Sequence, residues 1–142
     1  MLLVAVGAAG PDDSDRTPSR WSLPGDWTFA LSDAQHHSLG ELSLSFTGEV
    51  AETCSSGLWR RAQLKSGTLP MLDLKARYAH GEFFPAYKIQ GRQLELELLA
   101  PSCEDSLLLS GTLGDEIAEG GFTAAGTHEN KQLGSFVAQL TP

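Results

Sequence analysis

Leu23-Pro24-Gly25-Asp26-Trp27-Thr28-Phe29-Ala30-Leu31 (LPGDWTFAL) puts a turn signal directly ahead of a two-residue apolar alternation. Pro24 and Gly25 punctuate the chain. Trp27, Phe29 and Leu31 then fall on one face and Thr28 and Ala30 on the other, the pattern of a strand with one side in a core and one in water. The alternation recurs at Leu42, Leu44 and Phe46, at Leu94, Leu96 and Leu98, and at Leu72, Leu74, Ala76 and Tyr78. It is weaker over 58–64, 86–90, 106–113, 121–126 and 134–140. This gives eight or nine short strands.

The joints agree with the strands. Gln90-Gly91-Arg92-Gln93 is a tight hairpin turn, and Gly40, Gly57, Gly67, Gly81, Gly114 and Gly120-Gly121 mark the others. The best helical rival, QLELELLA over 93–100, has good helix formers, yet its strict alternation favours a strand. A short helical turn is placed near 19–24. Sequential strands with short loops predict an all-β fold, an antiparallel up-and-down β-barrel of about eight strands, because closure removes unpaired edges. An open β-sandwich is the alternative, which periodicity does not separate from a barrel.

The chain has 142 residues, enough for one barrel domain over 21–142 with a real core. Its formal net charge of −8 opposes phosphate backbones, which argues against nucleic-acid partners. No apolar run approaches the roughly 18 residues of a membrane span. Residues 1–10 resemble the apolar core and small-residue cleavage site of a secretory signal, although a basic start is missing. Residues 11–20, PDDSDRTPSR, read as a disordered lead-in, so the mature chain is expected to begin between residues 9 and 21. The expected location is secreted or periplasmic. Cys54 and Cys103 are the two cysteines, and in an oxidising compartment they would close a loop of roughly 50 residues worth about 4 kcal/mol. Two unpaired buried thiols are the alternative. Their number and spacing do not suit a zinc site.

Gly25-x-Trp27 at the head of the first strand is similar to the signature of the calycins, which include lipocalins, fatty-acid-binding proteins and avidins. The resemblance implies a barrel floor closed by Trp27, with glycine allowing a sharp entry into the strand. It covers the strand pattern over 21–140. The sequence departs from the lipocalin pattern in its last strand, Ser135 to Leu140, which offers no basic residue to pack over the tryptophan. The avidin-type set of ligand-binding tryptophans is also missing. The resemblance therefore carries the architecture and no ligand.

No catalytic constellation assembles. His36 and His37 lie beside Asp33 in a polar loop, and adjacent side chains on an extended chain point opposite ways. His128-Glu129-Asn130 lacks the second histidine of a zinc-protease helix, and the glycine-rich pieces lack a phosphate-loop lysine. No metal and no cofactor is assigned.

Binding is better motivated. In SGLWRRAQLKS, Leu58, Arg60, Ala62 and Leu64 share one face, and Trp59, Arg61, Gln63 and Lys65 the other. An inward Arg60 needs an acidic partner, an anionic ligand or a place at the barrel mouth. Tyr78, Phe83, Phe84 and Tyr87 cluster in YAHGEFFPAY, where the two adjacent phenylalanines cannot both follow an inward face. The ligand-binding candidates are therefore Trp59, Arg60, Tyr78, Phe83, Phe84 and Tyr87. The leading expectation is an exported barrel that binds a small apolar or amphipathic ligand. The alternative is a filled barrel that binds or inhibits a macromolecule through its loops. An enzyme comes third. An enclosed cavity would favour the first, a packed interior with an exposed aromatic patch the second, and a cleft bringing histidines and carboxylates into hydrogen-bond range the third.

Overall fold

A computed structural model describes residues 25–70, 73–126 and 130–141. Residues 1–24, which hold the signal-like start, the lead-in and the expected helical turn, lie outside the described residues, as do His128 and Glu129. The elements are β1 (Asp26–Asp33), β2 (Ser38–Ala51), β3 (Trp59–Thr68), α1 (Leu74–Ala79), β4 (Phe84–Gln90), β5 (Gln93–Ala100), β6 (Ser106–Leu113), β7 (Ile117–Ala125) and β8 (Asn130–Leu140). Every strand pairs antiparallel with its neighbours in the chain, and β8 returns to pair with β1. The sheet is a closed eight-strand barrel, so the sandwich is excluded.

The first strand begins as its sequence dictates. Gly25 has φ +65°, a left-handed conformation that costs glycine nothing. The chain then enters β1, where Trp27 pairs with Leu44 on one side and Leu140 on the other. The strands are strongly tilted. Ladder partners followed from Val50 run through Arg60, Tyr87, Leu96, Leu109, Phe122 and Gly134 to Asp33. Beside Asp33, Ser32 pairs with Ser38, at the opposite end of β2. This stagger is what closing eight strands requires.

The interior is packed with side chains. Trp27, Phe29, Phe46, Tyr87, Phe122 and Phe136 join the inward leucines in one cluster. Phe29 meets Phe46 at 6.1 Å and Phe136 at 5.7 Å between ring centroids, and Phe46 meets Tyr87 edge-on at 4.8 Å. Gly111 and Gly120 face each other across β6 and β7, where a Cβ on either would come within 2.1 Å of a carbonyl on the other strand. The close approach there admits only glycine.

One expected strand is a helix. The alternation Leu72–Tyr78 lies in α1, with Leu72 outside the described residues. Leu74 and Tyr78 are two apart in the alternation, but they are also an i, i+4 pair, which is one face of a helix. Asp73 Oδ1 accepts the Ala76 N–H at 3.2 Å and so caps the first turn. Leu, Lys, Ala and Arg have high helix propensity, which settles the ambiguity. Leu74 is buried in the interior cluster and Tyr78 packs against it.

Helix α1 stands where the barrel wall is weakest. β3 and β4 pair only at Arg60–Tyr87 and Arg61–Ala86. The next β4 residue in that register is Pro85, which has no N–H to donate. The ladder stops there, and the wall opens beside α1.

Trp27 is 1% exposed at the start of the closing strand. Trp27→Ala is expected to lower stability by about 3–5 kcal/mol, read as a lower denaturant midpoint. An unchanged midpoint would contradict its role in the interior packing.

Candidate functional site

The six candidate residues separate into distinct places. Tyr87 is 1% exposed in the interior, and its hydroxyl donates to the Thr47 carbonyl. Arg60 is on the inner side of β3, beside Tyr87 at the end of the barrel, and donates through Nη1 to the Gly48 carbonyl. Gly48 lies in the irregular part of β2, between Phe46 and Val50, which turns that carbonyl toward the guanidinium. Leu58, expected on the same face, precedes the strand and is 47% exposed.

Trp59 breaks the two-face expectation in a different way. It lies on the outer side of the wall and is nevertheless 3% exposed, in a second cluster with Ala86 and Ala100. Its cover is the loop before β3 and the loop after β5. Cys54 and Cys103 stand at disulfide distance there, with Cα atoms 5.4 Å apart. Trp59 Nε1 donates to the Ser56 carbonyl at 3.0 Å, and the Lys88 ammonium sits 5.2 Å from the ring centroid. Lys88 also meets Glu95 at 3.4 Å. The bridged loops thus add a small outer core that alternation alone does not reveal.

Tyr78, Phe83 and Phe84 come together at the wall opening. They line a cleft of about 550 Å³ between β3, α1 and the start of β4. The adjacent phenylalanines diverge, Phe83 packing against the interior cluster and Phe84 against the outer one. Ala62, Leu64, Ala79 and Pro85 complete the apolar lining, and Thr47, Glu49, Arg61, Gln63 and Lys75 the polar one. The Arg61 guanidinium lies 3.9 Å from the Phe84 ring centroid. Sequence reading missed Arg61, Gln63 and Lys75 as cleft residues. Arg61 and Gln63 share a face with Trp59 in the sequence pattern, and only the wall opening gives that face a floor there. Lys75 was assigned to a strand that is α1.

A second cleft of about 280 Å³ lies under the disulfide, against Trp59. Its acid wall includes Glu97, whose Oε2 accepts from the backbone N–H of Leu99 at 3.1 Å and of Leu107 at 2.9 Å. Glu97 therefore ties the end of β5 to β6. Burial raises its pKa above the ordinary carboxylate value, and the two amide bonds oppose that rise. The Tyr78 hydroxyl donates to the Leu98 carbonyl at 2.8 Å, and burial, helped by the Glu97 charge, holds the phenol neutral well above its usual range.

The histidine loop is a turn. Asp33 Oδ1 accepts from Gln35 N and His37 N, each at 2.9 Å, and these bonds lower its pKa. Among the described residues no group of three His, Cys, Asp or Glu stands close enough to hold a metal ion.

The raised pKa of Glu97 fixes a sign. The folded state binds the proton more tightly than the unfolded chain, so this contribution is full below the ordinary carboxylate pKa and lost as pH rises through the folded value. Wild type minus Glu97→Gln stability is expected to fall with rising pH in that window, measured by denaturant melts. A difference that grows with pH would mean that the amide bonds outweigh burial.

No protein-family model, curated protein or solved structure matches this chain.

Proposed function

We propose that this chain is an exported, calycin-like β-barrel that binds a small amphipathic ligand at the opening between β3 and β4. The observation that carries the reading is the cleft of about 550 Å³ with Phe83, Phe84 and Tyr78 in its wall. Its size is that of ordinary small-molecule sites, and its mix of aromatic wall and few polar groups is the usual chemistry of such sites. The barrel interior is filled by packed rings and leucines, so the ligand sits in the wall, not on the axis. Trp27 is buried at the start of β1, which supports the Gly-x-Trp resemblance. The Cys54–Cys103 pair and the apolar start of the chain support export to an oxidising compartment. Among the described residues no helix is long and apolar enough to cross a membrane.

A second reading, a protein partner held by the loops, is favoured by the packed interior, the feature expected of that reading, and by Val50 and Leu58. They are 59% and 47% exposed on either side of the bridged loop that joins β2 and β3.

A neutral fluorescent probe, N-phenyl-1-naphthylamine, tests the first reading. It is expected to bind one to one with a blue-shifted emission. Gln63→Trp fills the cleft from an exposed position and should abolish binding, while Phe122→Leu in the interior should leave it unchanged. Binding lost in Phe122→Leu but kept in Gln63→Trp would place the ligand inside the barrel and contradict the proposal.

A further inference from the structure

The wall cleft carries an unbalanced charge. Arg61 and Lys75 line it with a single carboxylate, Glu49. The whole chain holds 18 acidic and 10 basic residues, so two cations facing one acid is a local reversal. Among the described residues, neither Arg61 nor Lys75 is ion-paired with any carboxylate. In the same protein Lys88 is paired with Glu95.

Position adds to charge. Arg61 sits on the outer side of β3 at the last rung of the β3–β4 ladder, opposite Ala86. Its guanidinium is stacked 3.9 Å from the centroid of Phe84. Stacking occupies one face of the planar cation and leaves its edge N–H donors available to a carboxylate or sulfonate. Its strand is fixed beside it, because Thr47 Oγ1 donates to the Arg61 carbonyl at 2.9 Å. Lys75 reaches the same cleft from the first turn of α1 on a flexible stem. Below them lie Leu64, Phe83 and Phe84, an apolar bed with no charge of its own. The cleft is thus amphipathic, with cations at its edge and hydrocarbon in its floor.

We infer that the ligand of this cleft is an anionic amphiphile, its apolar body on Leu64, Phe83 and Phe84 and its carboxylate or sulfonate head on Arg61 and Lys75. The inference rests on the small-ligand reading of the cleft and adds the charge of the ligand to it. An anionic head supplies a counter-charge that Glu49, the one carboxylate in the lining, does not supply by ion pairing with either cation. A cationic amphiphile would face two like charges across a short distance, and a neutral one would leave both donors to water.

Three amphiphiles of equal chain length separate the cases: decanoate, decanol and decyltrimethylammonium, titrated calorimetrically at low salt below their aggregation concentrations. Decanoate is expected to bind on the order of tenfold tighter than decanol, the gain of one charge-assisted hydrogen bond, and decyltrimethylammonium weakest. The preference should shrink as salt is raised. Arg61→Gln should bring decanoate toward the affinity of decanol. Since Arg61 also packs on Phe84, the exposed Lys75→Gln provides an independent arm and should reduce the same preference. Equal affinity for all three probes, or a preference that survives both substitutions, would overturn the anionic assignment while leaving the cleft as a site. Failure of every probe to bind would overturn the cleft reading as well.

Discussion

The ladder between β1 and β8 is the constraint on which the architecture depends. It runs from Trp27–Leu140 to Asp33–Gly134 and converts a meander of hairpins into a closed surface. Once that ladder forms, every inward side chain of eight strands must fit one enclosed volume. The sequence meets this with rings at Trp27, Phe29, Phe46, Tyr87, Phe122 and Phe136, and with glycine where β6 and β7 approach most closely. Small barrels of this strand number have room for side chains or for a small ligand. Here the rings and leucines take that room.

A closed barrel with a packed interior can bind only at its ends, loops or wall. The wall is interrupted at one joint for a covalent reason. Proline at position 85 cannot continue the hydrogen bonding that Arg61 and Ala86 begin. The segment between β3 and β4 therefore folds back as α1 and seats Leu74 and Tyr78 on the interior cluster. The same event exposes the sides of Leu64, Phe83 and Phe84 and brings Arg61 and Lys75 to their margin. On the same outer face, the paired cysteines hold two loops over Trp59, two residues before Arg61, and build the second core.

Much of the barrel was legible in the chain because period-two alternation and glycine joints report the inward face directly. Trp27, Phe29, Leu31, Leu42, Leu44, Leu94 and Leu96 are buried as their pattern requires. The exception over 72–78 is instructive, since residues four apart satisfy the strand and the helix period alike, and helix propensity together with the Asp73 cap decides between them. The site was less legible. Tyr78, Phe83 and Phe84 stand out by clustering in the sequence and share one cleft, whereas Trp59 lies in the outer core and Tyr87 in the interior. Alternation assigns a residue to a face. It does not say what lies over that face, whether a bridged loop, as for Trp59, or a helix, as for Arg61 and Gln63.

We propose that recognition occurs in the wall between β3 and β4 and not within the barrel. Amide and aromatic NMR spectra recorded during a titration with decanoate test it most directly. The account predicts shifts confined to the neighbourhoods of Arg61, Gln63, Lys75, Phe83 and Phe84, with the rings of Phe29, Phe122 and Phe136 unmoved. Shifts concentrated on those three interior rings, with the wall residues unchanged, would contradict it.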